Sequence, residues 1–454
     1  MSNKNFSLSG MPDFSSLEVK RREYVFSIMK NIFEKYGFSP LETPAIEKRE
    51  TLIGNYGPEG DKLVYQLLKS GDFLAKKDKK KLLSSDYKTI SSIISDKALR
   101  YDLTIPLARY ISKNQRDINF PFKRYQMQKV WRADRPQKGR LREFTQCDAD
   151  IVGSKSLWLE SDLIKIYDEV FRELGLEDIV LKVNNRKILE GLYSSMSANF
   201  SFSEFCIFLD KIEKKGKDIF LNFLKDNGTS KKNILMFDSL LNKSICLDNF
   251  SSEFSSIIDI SNPLIQEGKK EAIDLFSKVK GLKKLNLVFD FSLARGLDYY
   301  TGMIFEIKCN KVPIGSIGGG GRYDNLTTLF GNNVGSGVGI SFGVERIMIC
   351  LDELNLFPNG LDCFIDVLFV NLGDEESFLS QFYIDKLRSF GIKCELFPDN
   401  LKLKKQMSYA NNSGAKYTAL VGEEEMKTKK ITLKNMSNGT QESLSLKDLI
   451  NKLK

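Results

Sequence analysis

The chain has 454 residues, of which 42% are hydrophobic and 28% charged, a length and composition typical of a soluble protein with two or three domains. Its formal net charge of +9 is compatible with a phosphate-rich partner. It contains no histidine, which excludes a Ser-His-Asp triad, a histidine general base and a histidine zinc site, so any chemistry must use carboxylates, arginines, tyrosines or a bound metal ion.

The N-terminal segment, MSNKNFSLSGMPDF, lacks the basic flank and apolar run of a secretory signal. No stretch of the chain reaches the roughly eighteen uninterrupted apolar residues that a membrane span needs. The seven cysteines lie far apart without a CxxC pair, which favours buried, reduced thiols over a zinc site or a disulfide framework. We therefore expect a cytoplasmic protein that does not enter the membrane.

The first predicted element is an amphipathic helix over residues 17–36, followed by Gly37 at the position of a C-cap. Its apolar residues at helical spacing are Val25, Ile28, Met29, Ile32 and Phe33. The next segment, FSPLETPAIE (38–47), contains Pro40 and Pro44, which favour a bend or a sheet edge over a helix.

Residues 130–150, VWRADRPQKGRLREFTQCDAD, predict two strands around a turn that contains Pro136 and Gly139, with Arg132 and Arg142 projecting from the strands themselves. The turn adds the basic residues Arg135, Lys138 and Arg140. Guanidinium groups keep their charge and bind phosphate oxygens in bidentate fashion, which suits nucleotide phosphates. The alternative is a salt-bridged hairpin formed with the nearby acidic residues Asp134, Glu143, Asp148 and Asp150. The residues alone leave both interpretations open.

Residues 186–283 predict a separate helical insertion, and strand patterns return after it. The segment ARGLDYYTG (294–302) lies between two of these strands. In a regular strand Tyr299 and Tyr300 would point to opposite faces, so a turn is needed for both to contact one ligand. The alternative, a tyrosine-rich sheet edge, is favoured by the spacing alone.

Two glycine-rich segments follow, SIGGGGRYDNL (316–326) and GSGVGISFGVER (335–346). Neither is a Walker loop or a GxGxxG dinucleotide motif. Glycines here would let the backbone approach a flat ligand closely, with Arg346 at the start of a helix. Together, the clusters supply arginines, carboxylates and tyrosines, which fits phosphoryl-type transfer driven by positioning and charge stabilisation.

The segment FPNG (357–360) predicts a linker, beyond which the pattern of the chain changes. Strand and helix patterns alternate there, which predicts a small α/β domain. Its first helix, over residues 374–390, has an apolar stripe formed by Leu379, Phe382, Tyr383, Leu387 and Phe390.

The three charged and glycine-rich clusters resemble the three signature motifs of class II aminoacyl-tRNA synthetases, and ARGLDYYTG with GGGRYD resembles the two signatures of the histidyl-tRNA synthetase family. The resemblance covers nearly the whole chain, from SGMPDF to the C-terminal helix. It implies an α+β fold with an antiparallel-sheet catalytic domain, a helical insertion and a C-terminal α/β anticodon-binding domain. The implied boundaries are 1–185 and 284–356 for the catalytic domain, 186–283 for the insertion and 363–454 for the anticodon-binding domain.

The resemblance also implies a reaction and its partners. Members of this family activate L-histidine with ATP and transfer it to the 3′ end of histidine tRNA. ATP would enter with Mg²⁺, which prefers hard oxygen ligands such as the outer phosphates, and no protein ligand for a metal can be assigned. The segment around Pro44 resembles the dimer-forming motif, so a homodimer is expected. RYDLTIPLAR and CDADI resemble the eukaryotic-type branch and RPQKGR the bacterial one, which leaves open how the extra 5′ guanosine of the tRNA is read.

Matching motif positions assign an ATP site. Arg132 matches the arginine that holds the α-phosphate, and Arg346 matches the motif-three arginine on the other side of ATP. Phe144 matches the aromatic residue that stacks on adenine. Arg140 and Arg142 fall where loop arginines meet the outer phosphates.

A histidine pocket is assigned in the same way. Arg295 matches the arginine peculiar to the histidyl family, which faces the α-phosphate and the substrate carboxylate, so Arg132 and Arg295 are the implied catalytic residues. The residues implied to bind histidine are Asp102, Leu103, Thr104, Arg132, Gln146, Asp150, Arg295, Tyr299, Tyr300 and Tyr323. Polar partners for both imidazole nitrogens would reject analogues that leave those partners unpaired.

Two other functions compete with this interpretation. One is the regulatory paralogue of histidyl-tRNA synthetase that serves ATP phosphoribosyltransferase, which would bind histidine as a signal without forming an adenylate. The intact ARGLDYYTG segment and the α/β domain from residue 364 onward argue against it. The other is a different class II synthetase, such as the prolyl or threonyl enzyme. The paired Tyr299 and Tyr300 after Arg295 argue against that assignment.

Overall fold

The computed structural model of the chain describes residues 7–71, 86–196, 199–246, 250, 253–254, 261–279, 281–295, 300–324, 328, 330–331 and 335–454. The chain divides into two compact units. Unit 1 comprises Met1–Asp13 and Glu23–Leu356, and unit 2 comprises Phe14–Arg22 and Phe357–Lys454. Within the described ranges, no helix is long and apolar enough to cross a membrane.

Unit 1 is built on a large, mainly antiparallel sheet. Its strands in chain order are β1 (Ser39–Pro40), β2 (Ile46–Lys48), β3 (Gln66–Leu68), β4 (Ser95–Leu99), β5 (Phe122–Trp131), β6 (Glu143–Val152), β7 (Ile179–Asn185), β8 (Ser244–Cys246), β9 (Leu285–Asp290), β10 (Met303–Cys309), β11 (Gly318–Tyr323) and β12 (Gly337–Phe342). Among the described residues, the large sheet has the order β1-β5-β6-β12-β11-β10-β7-β9-β8, and β2, β4 and β3 form a separate small sheet. Neighbours in the large sheet are antiparallel except for the pairs β1/β5 and β7/β9. This sheet agrees with the predicted α+β fold.

The helices described up to Leu356 lie before, between and after these strands in the chain, some singly and some in series. In chain order they are α1 (Ser16–Lys35), α2 (Arg49–Leu52), α3 (Gly57–Asp61), α4 (Tyr87–Ile94), α5 (Thr104–Asn114), α6 (Trp158–Glu173), α7 (Arg186–Ser194), α8 (Phe202–Asp210), α9 (Ile212–Lys215), α10 (Asp218–Asp226), α11 (Lys231–Leu241), α12 (Pro263–Lys278) and α13 (Val344–Glu353). The predicted N-terminal helix is confirmed, because α1 buries Met29 and Phe33 completely. The Phe33 ring stacks on Tyr125 of β5 at 5.4 Å between centroids. Gly37 then adopts φ +78°, a conformation that favours glycine after a helix.

The prediction for residues 186–283 was wrong in one respect. Most described residues of this segment are helical, but Ser244–Cys246 forms β8, which pairs antiparallel with β9 of the large sheet. The segment also lies within unit 1, and α7 crosses α12 through close glycine contacts. A Cβ at Gly191 would lie 2.5 Å from Ile265 Cγ1, and one at Gly268 would lie 2.7 Å from Ile188 Cγ1. The boundaries of an insertion domain stay a prediction.

Unit 2 has a five-stranded mixed sheet. Its strands are β13 (Val367–Phe369), β14 (Cys394–Leu396), β15 (Tyr417–Leu420), β16 (Ile431–Asn435) and β17 (Gln441–Leu444), in the order β14-β13-β15-β16-β17 among the described residues. Its further helices are α14 (Asp374–Ser389), α15 (Leu403–Asn412), α16 (Glu423–Thr428) and α17 (Leu446–Leu453). The predicted alternation of strands and helices is confirmed as far as β15. The hairpin of β16 and β17 was not predicted, because its polar, lysine-rich sequence lacks a continuous apolar run.

The predicted apolar stripe of α14 was wrong at two positions. The helix buries Tyr383, Ile384 and Leu387 in the core of unit 2. Phe382 and Phe390 are instead 53% and 47% exposed. Residue 382 immediately precedes the buried pair 383–384 and therefore points to one side of the buried face. Phe390 caps the C-terminus of the helix, where the Lys454 ammonium lies 4.3 Å from the centre of its ring.

Candidate active site

A polar cleft opens on the large sheet of unit 1 at strands β6, β11 and β12. Its empty space, including what is open to solvent, is about 310 Å³. The lining residues are Thr104, Gln146, Asp148, Asp150, Tyr300, Gly319, Gly320, Tyr323, Gly339, Ile340 and Ser341. The fold therefore brings together Thr104, Gln146, Asp150, Tyr300 and Tyr323, which the sequence resemblance assigned to one pocket.

Glycines on β12 make room for the polar floor of this cleft. A Cβ at Gly339 would lie 2.0 Å from Asp150 Oδ1, and one at Gly337 would lie 2.3 Å from Tyr323 Cε2. Both distances are shorter than real Cβ atoms show. The glycines are this close because β12 lies between β6 and β11, so Gly339 faces Asp150 and Gly337 faces Tyr323. The glycines of this segment therefore leave space for the Asp150 and Tyr323 side chains, in addition to leaving room for a ligand.

Two buried aspartates on β6 and a buried arginine on β5 form the acidic floor. Asp150 Oδ1 accepts a hydrogen bond of 2.7 Å from the Tyr323 hydroxyl, and Oδ2 lies 2.8 Å from Arg124 Nη2 as an ion pair without hydrogen-bond alignment. Burial raises the pKa of both carboxyl groups, and for Asp148 to about 7. Arg124 opposes that rise in both pKa values, while the charge of Asp150 adds to the pKa of Asp148.

Asp102 and Arg132 lie close together next to this floor. Asp102 Oδ1 accepts hydrogen bonds from the Tyr56 hydroxyl at 2.9 Å and from the Ile105 amide, in the first turn of α5, at 3.2 Å. Burial raises the pKa of Asp102, and the charge of Arg132 opposes that rise. The neighbouring Leu103 has a fully buried side chain, so only its backbone is available to a ligand.

Arg132 is held in place by aromatic rings. Its guanidinium carbon lies 4.4 Å from the centre of the Tyr101 ring and 5.2 Å from that of Phe144. Its Nε donates to the Tyr101 carbonyl at 3.0 Å. Arg132 and Arg142 were expected to project from the strands, but they lie one residue beyond the ends of β5 and β6, where the Arg132 amide bonds to the Arg142 carbonyl.

Three arginines from different parts of unit 1 are close enough to repel one another. Burial lowers the pKa of Arg346, and the charges of Arg295 and Arg140 lower it further. Arg346 passes over two glycines, since a Cβ at Gly139 would lie 2.8 Å from its Cγ and one at Gly315 would lie 2.9 Å from its Nη1. A cluster of guanidinium groups that repel one another is suited to an anion with several charges.

Carboxylates hold two of these arginines. Arg295 Nη2 lies 2.7 Å from Glu306 Oε1, and its Nε lies 3.6 Å from Asp210 Oδ1. Arg140 makes a two-pronged pair with Asp134, with distances of 3.0 and 2.9 Å. The salt-bridged hairpin considered for this turn is therefore present at Arg140, which must leave Asp134 or share it to bind a phosphate.

Arg142 attaches the N-terminal segment to this turn. Its Nε donates to the Asp134 carbonyl at 3.0 Å and its Nη1 to the Ser9 carbonyl at 3.3 Å. The backbone amide of Arg142 also donates to the Gly10 carbonyl at 2.8 Å. The segment SGM (9–11) thus packs on the arginine-rich turn.

Some residues that the sequence resemblance assigned to the site do not line the cleft. Tyr299 lies outside the described residues, and Arg295 does not line the cleft but lies near Arg346. Sequence reasoning missed Asp148 as a site residue and missed Arg124 entirely. Asp148 could have been found, because Gln146, Asp148 and Asp150 alternate along β6 and therefore share one face.

Comparisons with known proteins show which family this chain belongs to. A family model of histidyl-tRNA synthetases matches residues 95–347, and an anticodon-binding domain model matches residues 366–454. The histidine–tRNA ligase of Christiangramia forsetii is 45% identical, covering 98% of this chain and 98% of its own. That of Flavobacterium johnsoniae is 43% identical, covering 99% of both chains.

Solved structures give the same result for the fold. The histidyl-tRNA synthetase from Nostoc sp. PCC 7120 superposes with a TM-score of 0.80 at 27% identity, covering 99% of each chain. A Bacillus halodurans structure described as an ATP phosphoribosyltransferase regulatory subunit/histidyl-tRNA synthetase has a TM-score of 0.70 at 19% identity, covering 91% of this chain and 97% of that one. That second likeness shows the fold alone. With a family model over more than half of its length and full-length relatives above 40% identity, the chain belongs to the histidyl-tRNA synthetase family.

Proposed function

We propose that this chain activates L-histidine with ATP to form histidyl-adenylate and transfers the histidyl group to the 3′ end of histidine tRNA. The observation that carries the proposal is the polar cleft of unit 1, in which Gly319 pairs across the sheet with Glu306, the ion-pair partner of Arg295. Full-length relatives at 45% and 43% identity are histidine–tRNA ligases.

In the first step, an oxygen of the histidine carboxylate attacks the α-phosphorus of ATP. The bond between the α- and β-phosphates breaks, and pyrophosphate leaves with its electrons. Since the nucleophile is already ionised, this step needs orientation and charge neutralisation but no general base. A chain without histidine can therefore perform it. In the second step, a terminal ribose hydroxyl of the tRNA attacks the activated carbonyl, and AMP leaves.

Arg132 and Arg295 would flank the α-phosphate as the catalytic residues. Arg132 is positioned by the Tyr101 and Phe144 rings, which supports adenine stacking on Phe144 near the same guanidinium. Arg295 would exchange Glu306 for the phosphate and the substrate carboxylate. After this exchange, the positive charge of Arg295 would neutralise the bound anion.

The outer phosphates would be bound by Arg140 and Arg142, with Arg346 on the other side of ATP. The mutual repulsion within the arginine cluster supports this assignment, because a polyphosphate would relieve it. ATP would enter as its Mg²⁺ complex, with the ion held mainly by phosphate oxygens and water. The described residues contain no group of three or more acidic or cysteine side chains that could hold a metal ion by themselves.

The histidine side chain would occupy the cleft. Asp102 and Gln146 would receive the substrate amino group, with Thr104 and the backbone of Leu103 beside them. The buried Oε1 of Gln146 finds no hydrogen-bond partner among the described residues, which suits an acceptor for an ammonium group. The imidazole would be enclosed by Asp150, Tyr299, Tyr300 and Tyr323.

Unit 2 would bind the anticodon of histidine tRNA, since residues 366–454 match an anticodon-binding domain. The net charge of +9 favours association with a polyanion. We further propose a cytoplasmic homodimer, in which the segment around Pro44 contributes to the contact between subunits.

The decisive experiment is ATP–pyrophosphate exchange by the purified chain with each amino acid in turn. Exchange with histidine alone, lost in Arg295→Ala but kept in Arg116→Ala, is the expected result. Arg116 is an exposed arginine after α5 and controls for loss of one positive charge. Histidine binding without exchange would instead support the regulatory paralogue, and exchange with another amino acid would support a different class II synthetase.

A further inference from the structure

Residues 8–11 form a tight turn, the N-terminal turn, that packs on the arginine-rich turn. The Met11 amide closes it by donating to the Leu8 carbonyl at 3.0 Å. Gly10 within it has φ +80°, a left-handed conformation that favours glycine. A Cβ at this position would also lie 2.8 Å from Pro136 Cγ. The N-terminal turn therefore depends on glycine both for its backbone conformation and for its close contact with the arginine-rich turn.

The N-terminal turn contacts Arg142 at both its backbone and its side chain. The Gly10 carbonyl accepts hydrogen bonds from the Arg142 amide at 2.8 Å and from the Glu143 amide at 3.3 Å. The Ser9 carbonyl accepts a hydrogen bond of 3.3 Å from Arg142 Nη1. Two neighbouring carbonyls of the N-terminal turn thus hold the start of β6 and the guanidinium group of Arg142 together.

The guanidinium of Arg142 is held without being neutralised. Its Nε donates to the Asp134 carbonyl at 3.0 Å, so both of its hydrogen bonds go to uncharged backbone oxygens. Within the part of the chain that the structure describes, no carboxylate forms an ion pair with Arg142, and its Nη2 has no protein acceptor. Arg140 differs, because the Asp134 carboxylate pairs with it at 2.9 Å. The positive charge of Arg142 is therefore available to an anion.

A fixed orientation favours binding by Arg142. A freely rotating arginine loses side-chain freedom when it binds a phosphate, and this loss weakens the affinity. Since carbonyl oxygens already hold Nε and Nη1 of Arg142, much of that freedom is lost before the ligand binds. Nη2 remains to donate a charge-assisted hydrogen bond to a phosphate oxygen.

We propose that the N-terminal turn is a positioning element for ATP, which holds Arg142 so that its Nη2 can bind an outer phosphate. The turn acts through Arg142, and Gly10 is the residue on which its conformation depends. The inference rests on the proposed function, in which Arg142 binds an outer phosphate. It adds a role for residues 8–11, to which the motifs assign none.

Two glycines with the same backbone conformation provide the test. Gly10→Ala places a Cβ at φ +80°, 2.8 Å from Pro136 Cγ and 3.0 Å from Arg142 Cγ. In pyrophosphate exchange it should raise the KM for ATP by about tenfold or more, the effect of losing one charge-assisted hydrogen bond, while the KM for histidine stays unchanged. Gly37→Ala is the matched control, because Gly37 has φ +78° and open space where its Cβ would lie. This control should keep both KM values.

A double-mutant cycle tests whether the turn acts through Arg142. Arg142→Ala alone should raise the KM for ATP by about tenfold or more. Since that variant lacks the guanidinium, the addition of Gly10→Ala should raise the KM by less than about twofold further. If Gly10→Ala instead has its full effect in the Arg142→Ala background, the turn acts by another route and the inference is overturned.

The remaining outcomes separate the positioning role from the overall function. If the wild-type chain shows no histidine-dependent exchange, the proposed function fails and the inference fails with it. If the wild-type chain is active and Gly10→Ala keeps its KM for ATP, the inference alone is overturned. An equal rise in the KM for ATP and for histidine also overturns it, because that result indicates a general structural defect.

Discussion

The buried Asp148 carboxyl should make the stability of unit 1 fall as the pH rises. Its pKa is raised from its ordinary value of 3.8 to about 7, mainly by burial. Between these two values the folded chain holds a proton on Asp148 that the unfolded chain has released. Stability from this group is therefore fully present below about pH 4 and is lost as the pH rises through about 7.

The size of the effect follows from the same pKa values. Each pH unit inside that window removes about 1.4 kcal/mol from the free energy of unfolding. From about pH 5 to above pH 7, the loss amounts to roughly 3 kcal/mol. Asp148→Asn has no titrating group at this position, so it should lack this component of the pH dependence.

The assay is urea unfolding of the ligand-free chain at several pH values between about 5 and 8. Relative to the wild type, Asp148→Asn should gain up to roughly 3 kcal/mol in the free energy of unfolding over that range. Asp96→Asn, at an exposed position of β4, controls for the removal of one aspartate. A difference between Asp148→Asn and the wild type that stays constant with pH would refute the reasoning, since the carboxyl would then not be titrating in a buried site.

Three further predictions follow from the contacts around the cleft. Gly339→Ala should abolish histidine-dependent exchange, since its Cβ would lie 2.0 Å from Asp150 Oδ1, and isothermal titration with histidine should show no binding. Arg346→Ala should raise the KM for ATP by about 10-fold or more in exchange kinetics, while the KM for histidine stays unchanged. Glu160→Gln should lower the free energy of unfolding by roughly 3–5 kcal/mol in urea titrations, because it leaves the buried Arg322 guanidinium without its charged partner.

The cleft could be predicted from the sequence because its residues lie in short, distinctive motifs. Thr104, Gln146, Asp150, Tyr300 and Tyr323 come from four separate stretches of the chain, and all five line one cleft. Periodicity alone was less informative. It placed Phe382 in the apolar stripe of α14, although the helix buries Tyr383 and Ile384 and leaves Phe382 exposed, because aromatic character does not determine which face of a helix meets the core.

Arg124 could not be identified from the motifs because its role depends on pairing between strands, whereas alternation along β6 already places Asp148 on the same face as Gln146 and Asp150. Arg124 faces Asp150 across β5 and β6, and Asp148 faces Ser341 across β6 and β12, and neither register is visible in a linear sequence. With this register, Arg124 Nη2 lies 2.8 Å from Asp150 Oδ2, and each of the two aspartates keeps one buried oxygen without a hydrogen-bond partner among the described residues. The motifs identify the family, whereas the pairing between strands decides which charged side chains lie together at the floor of the cleft.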